Sequence, residues 1–145
     1  MENKIKHLEM IQSIITRMAQ NSFMIKGWSL TLVVAMVAFV PKTACLFIPV
    51  AIIPILIFAC LDAYYLQLER KYKKLYDIVR EKEESDVNFN LKITDQCKEE
   101  SNKYCVCLFS RSILLFYSPV LIACVGIILA LFLWGNEDES IYKLS

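Results

Sequence analysis

The sequence predicts an all-α integral membrane protein, and three observations carry that prediction. Hydrophobic residues make up 57% of the 145-residue chain, more than an ordinary soluble domain of this size has to bury. They gather in three blocks, Phe23 to Val40, Ala44 to Leu61 and Ser112 to Trp134, and the only charge inside them is Lys26. The third block has no polar face, which a helix of a soluble bundle would keep. At a rise of 1.5 Å per residue the first two blocks reach about 27 Å and the third about 35 Å, against a hydrocarbon core of roughly 30 Å.

Residues 1–22 read as an amphipathic helix. Ile5, Leu8, Ile11, Ile15 and Met18 form one stripe, with Lys6, Glu9, Gln12, Ser13 and Arg17 turned away. This arm either continues unbroken into the first span or lies flat on the membrane as an interfacial helix. The first span covers about 23–40 and the second about 44–61. Pro41 ends one, and Lys42-Thr43 leaves room only for a tight turn, so 23–61 is expected to be an antiparallel hairpin. An N-terminal signal peptide fits poorly, because the first apolar block starts some twenty residues in and no small-x-small cleavage site follows the expected pattern.

After Leu61 the composition changes without a breaker. The stretch "DAYYLQLERKYKKLY" reads as the second span's helix running on into water. Tyr64 and Tyr65 suit the headgroup layer. Tyr65, Leu68, Tyr72, Leu75, Tyr76 and Val79 recur at three- and four-residue steps, so an apolar stripe persists and needs a packing partner, for which the N-terminal arm is a candidate. Glu69 and Lys73 are placed for a favourable i,i+4 pair. Residues 81–86 look like a helix end, and "VNFNLKIT" like a short strand or extended chain on the stalk. Tyr104 to Arg111 should begin the third helix, with its span at 112–134 and an acidic tail at 135–145.

Lys and Arg set the orientation. Lys4, Lys6, Arg17 and Lys26 flank the first span, Arg70, Lys71, Lys73 and Lys74 follow the second, and Arg111 precedes the third. The opposite side has Lys42 and the acidic "GNEDES". The positive-inside bias places the N-terminus and residues 63–111 in the cytoplasm and the C-terminus outside the inner membrane.

The chemical inventory argues against an enzyme. One histidine, His7, cannot build a multi-histidine metal site, and three glycines do not make a phosphate-cradling loop. Cys97, Cys105 and Cys107 lack zinc or redox spacing, and Cys45, Cys60 and Cys124 lie in or beside spans as small hydrophobes. No catalytic residue, metal site or cofactor is expected. A net charge of +1 gives no basis for binding duplex nucleic acid.

The polar residues near the spans are the candidates. Asn21, Ser22, Lys26 and Ser29 enter the membrane close to one helix face, as a pore mouth or a site for an anionic ligand; the plainer alternative is a small-residue packing face with Lys26 snorkelling. Asp62 stands at the inner interface with Tyr64 and Tyr65, either solvated or paired with Lys26. Leu68, Tyr72, Leu75 and Tyr76 are the stalk-packing candidates. Pro49 and Pro54 free backbone carbonyls that lipid cannot satisfy, which favours packing against further helices and a homo-oligomer in the lipid bilayer.

"SFMIKGWSLTLV" before the first span and "DAYYLQLERKYKKLY" after the second resemble the SLATT membrane effectors of bacterial defence, over about residues 4–80. The chain is similar too to the membrane effector of Hailong-type systems. The resemblance implies an oligomeric pore that disrupts the inner membrane in antiphage defence, with a nucleotide or oligonucleotide ligand and a nucleotidyltransferase partner. The third span and acidic tail depart from the family's two-span plan. The residues alone leave two other readings open: a constitutive small channel or transporter subunit, and a membrane anchor that recruits a soluble enzyme.

Overall fold

A computed structural model describes residues 2–38, 47–84, 88–97 and 99–142, without side-chain detail for 47–51 and 131–142. It is helical, with no strand among the described residues, and three of its helices are long and apolar enough to cross a membrane. The chain is a membrane protein.

Helix α1, Glu2–Ala38, is a single helix of 37 residues. No proline interrupts it, and Glu2 complements the positive end of its dipole while pairing with Lys6 at 2.5 Å. The arm and the first span are therefore one rod, and the interfacial alternative is not adopted. Helix α2, Phe47–Glu81, also runs unbroken across the change in composition at Asp62. Pro49 falls in its first turn, where a missing N–H is tolerated, whereas Pro54 lies in the interior and deprives the residue 50 carbonyl of its donor. The expected turn at Pro41 to Thr43 lies outside the described residues.

The two helices pack antiparallel over most of their length. The Lys4 ammonium donates to the Lys82 carbonyl at 2.7 Å. Ile11 and Ile15 share a core with Leu75 and Val79, Ser22 and Lys26 meet Asp62, and Val33 shares a second core with Ile55. Partners rise along one helix as they fall along the other. From Lys4 to Val33 the contact runs for about 44 Å, so roughly a third of it must stand outside a 30 Å hydrocarbon core.

This pairing covers the polar half's apolar stripe. Leu75 and Val79 are buried, and Tyr72 and Tyr76 pack against the same cluster. Leu68 is half-buried. The stripe thus finds its partner within the chain, in α1. The expected Glu69–Lys73 pair forms at 2.5 Å.

Beyond α2 the chain folds back over the helix pair. Residues 88–94 form no strand, because no second strand occurs among the described residues to share a ladder with them. Leu91, Ile93 and Cys97 pack onto the Ile11–Val79 core, and Phe89, in the left-handed region at φ 51°, sits 5.5 Å from the His7 ring. Single turns at Asp95–Cys97 and Glu100–Asn102 follow. They are tied to α2 by Gln67 donating to the Asn102 carbonyl at 2.9 Å, by Arg70 donating to the Ser101 carbonyl at 2.8 Å, and by a Lys74–Glu99 pair at 2.7 Å. The hydrogen bond from Lys74 holds the Glu99 carboxyl below its ordinary range.

The third helix does not start at Tyr104. A short α3, Tyr104–Leu108, ends at Phe109–Ser110, where Phe109 and Ser110 donate back to Cys105 and Cys107, and α4 begins afresh at Arg111. Tyr104 donates to the Cys60 carbonyl at 3.0 Å, which ties the start of α3 to α2 two residues before Asp62. Helix α4, Arg111–Tyr142, continues past Trp134 through most of the acidic stretch expected as a tail. No proline stands there, and Gly135 alone costs a helix only about 1 kcal/mol. Its outer face is open: Leu115 is 74% and Ile122 71% exposed, as lipid contact requires.

Candidate functional site

The helix seam carries the site. On α1 the buried positions His7, Ile11, Ile15, Ser29 and Val33 are linked by half-buried Met18, Ser22 and Lys26, at steps of three or four. The seam is apolar on both sides of residues 22–29 and polar within them. On α2 the matching position is Asp62, fully buried, with Ala59 and Ala63 beside it. Small neighbours let the helices approach closely enough to enclose the carboxylate.

Three side chains close on one another there. The Lys26 ammonium lies 2.5 Å from Asp62 Oδ2, and its side chain is 18% exposed. It also donates to Ser22 Oγ at 3.0 Å, and the Ser22 hydroxyl in turn donates to Asp62 Oδ1. Both carboxylate oxygens thus face a donor from α1. The ion pair is the sequence's second option for Asp62, and it makes Lys26 a half-buried partner rather than a free cation.

Two further hydroxyls stand close to this cluster. Ser29, one turn deeper on α1, is fully buried, and Tyr117 of α4 is 6% exposed; neither hydroxyl has a hydrogen-bond partner among the described residues. Tyr117 lies within electrostatic reach of the Asp62 carboxylate. Desolvating a hydroxyl without a partner costs on the order of 1–3 kcal/mol, and lipid offers no substitute. The polar column therefore runs from Ser22 through Lys26 and Asp62 toward Ser29 and Tyr117, between three helices.

Of the sequence candidates, the structure brings together Ser22, Lys26 and Asp62, with Ser29 next along the seam. Asn21 is half-buried and makes no side-chain hydrogen bond among the described residues. Tyr64 is 49% exposed and stacks edge-on against Tyr65 at 5.7 Å, one turn from Asp62. Tyr117 was not legible as a site residue, because an aromatic in a charge-free span signals only packing. His7 was read only as unable to ligate a metal alone. It is 1% exposed, and neither ring nitrogen has a hydrogen-bond partner among the described residues.

No cluster of metal-ligating side chains occurs among the described residues. Burial pushes the Cys107 thiol above its ordinary value, which suppresses the thiolate that a nucleophile would need. Comparison with protein-family models, curated proteins and solved structures finds no match for this chain.

Proposed function

We propose that the chain is a pore-forming effector of the bacterial inner membrane, which assembles as a homo-oligomer and opens in antiphage defence when a nucleotide or oligonucleotide signal changes. The observation that carries this reading is the Ser22–Lys26–Asp62 cluster, which joins a fully buried carboxylate to a half-buried ammonium. A buried ion pair is poor as a stabilising device, since a well-packed hydrophobic pair serves as well or better. Charged side chains retained between spans mark ion paths and switches. Here the pair joins the two helices where the charge-free part of α2 ends. In the closed assembly it is a latch, and its separation exposes a polar column to the pore.

Helix continuity supplies the coupling. Because α1 and α2 run unbroken from the membrane into their polar halves, a ligand that spreads the Ile11–Val79 core moves the latch through two rigid rods. Such a ligand must bind open and closed assemblies with different affinity, or it shifts nothing. A nucleotidyltransferase is the class of enzyme that would make it.

The test is flux. Purified full-length chain in liposomes is expected to be tight, and Asp62→Leu to leak small ions and to depolarise cells on expression. Absence of flux from both proteins, at equal insertion and equal oligomer size, overturns the pore reading. For the orientation proposed, a cysteine-free background carrying Asn88→Cys is labelled only from the cytoplasm, and one carrying Ser140→Cys only from outside. External labelling at 88 rules that orientation out.

A further inference from the structure

Beyond the Lys26–Asp62 pair, α1 and α4 line an apolar groove of about 380 Å³. Leu30, Val33 and Val37 form one wall, and Val120, Ala123 and Ile127 the other. Each wall continues inward along the same helical stripe. On α1, Lys26, Leu30, Val33 and Val37 stand at i, i+4, i+7 and i+11, and on α4, Phe116, Val120, Ala123 and Ile127 do the same. One turn below the groove, toward the polar half of the helix pair, the same stripes carry Lys26 and Phe116.

We infer that this groove holds one acyl chain of a membrane phospholipid, with the lipid's phosphate at Lys26. The reading does not rest on the pore proposal. Length is the first argument. From Lys26 to Val37 the stripe rises about 16 Å, which matches one leaflet, half of a hydrocarbon core of roughly 30 Å. Lining is the second. The groove is walled by aliphatic side chains in charge-free stretches of two membrane-crossing helices, so hydrocarbon fills it and water does not.

The third argument is the unused donor at its end. An ammonium has three N–H groups, and Lys26 spends one on Asp62 and one on Ser22. The third has no acceptor among the described residues, and the side chain retains the exposure needed to meet one. A phosphate oxygen at headgroup depth fits it. Because Asp62 already neutralises Lys26, the site selects the phosphate common to all phospholipids rather than net negative charge. The lipid tail then acts as a spacer between α1 and α4 beside the Lys26–Asp62 pair.

Full-length protein is extracted in mild detergent from membranes containing anionic and zwitterionic phospholipids, washed extensively, and analysed by native mass spectrometry with phosphorus quantification. The expected result is one retained phospholipid for each chain, of either charge class. Ala123→Trp, which fills the groove, is expected to lose it several-fold, while Ile122→Trp on the outer face of α4 keeps it. The paired change Lys26→Met with Asp62→Leu, which keeps the core packed, is expected to weaken retention by removing the phosphate donor. Helix content and melting temperature measured on each variant separate lipid loss from misfolding. Equal lipid on wild type and Ala123→Trp overturns the inference, as does equal loss from Ala123→Trp and Ile122→Trp. Recovery of a lipid-free dimer whose contact is abolished by Ala123→Trp also overturns it, since a second copy then fills the groove.

Discussion

Asp62→Leu alone is expected to destabilise the folded protein by about 3–5 kcal/mol, and Asp62→Leu combined with Lys26→Met to restore most of that loss. The single change leaves the Lys26 ammonium between helices with Ser22 as its remaining partner, and the Ser22 hydroxyl loses its own acceptor. A cation stranded in that position must either drag water into the seam or pull α1 away from α2. The double change removes both charges and replaces them with side chains of similar bulk. Desolvation is then no longer a cost, which is why paired hydrophobic replacements of buried ion pairs are often neutral. Lys26→Arg keeps the charge and is expected to be mild, whereas Lys26→Glu sets two carboxylates against each other and should be at least as damaging as Asp62→Leu. Unfolding of the purified variants in detergent, followed by helix content, reads all four. If Asp62→Leu and the double variant are equally stable, the pair is a solvated surface contact and the latch fails with it.

Ile11→Asp is expected to detach the polar half of α1 from α2 while leaving the spans inserted. Ile11 is fully buried against Ile15, Leu75 and Val79, with Cys97 of the returning segment closing the cluster. Even Ile11→Ala should cost about 2–5 kcal/mol through lost burial and the cavity left behind. An aspartate there adds an unpaired charge to an apolar core. Ile5 gives the control, because it is an isoleucine of the same arm yet is 51% exposed. Ile5→Asp should change stability by no more than about 0.5 kcal/mol, as surface substitutions do. Hydrogen exchange across residues 71–81 is the measurement: rapid exchange in Ile11→Asp, and wild-type protection in Ile5→Asp. Similar protection in both would mean that the helix pair does not depend on this core.

The contrast between Ile5 and Ile11 shows where periodicity stops being informative. Steps of three and four hold a face only where they alternate; Ile5, Leu8 and Ile11 take two steps of three, which at 3.6 residues per turn swing Ile5 about 120° away from Ile11. His7, one i,i+4 step from Ile11, lies on the covered face and is buried beside Phe89, while Ile5 is left open. What spacing along α1 could not show is that the segment 88–97, polar and without a period of its own, brings Phe89 onto His7. The same limit applies to Tyr104, where the absence of proline or glycine concealed a break that the packing of α3 on Cys60 imposes.

By itself the sequence determined the helical class, the three apolar lengths, the unbroken run of the second span into charged chain, and the mutual need of two apolar stripes. These follow from local quantities, namely hydropathy over a bilayer's thickness and spacing around a helix, and no tertiary contact is needed to fix them. It also placed Lys26 and Asp62 at similar depth. Only the tertiary structure decided that they pair, because pairing requires the antiparallel register of α1 and α2 to bring one turn of each together with Ser22 between them. The burial of Tyr117 nearby and the groove beside Val33 belong to the same level. They arise where α4 meets the hairpin, and a charge-free, evenly apolar helix has no pattern from which its contact face can be read.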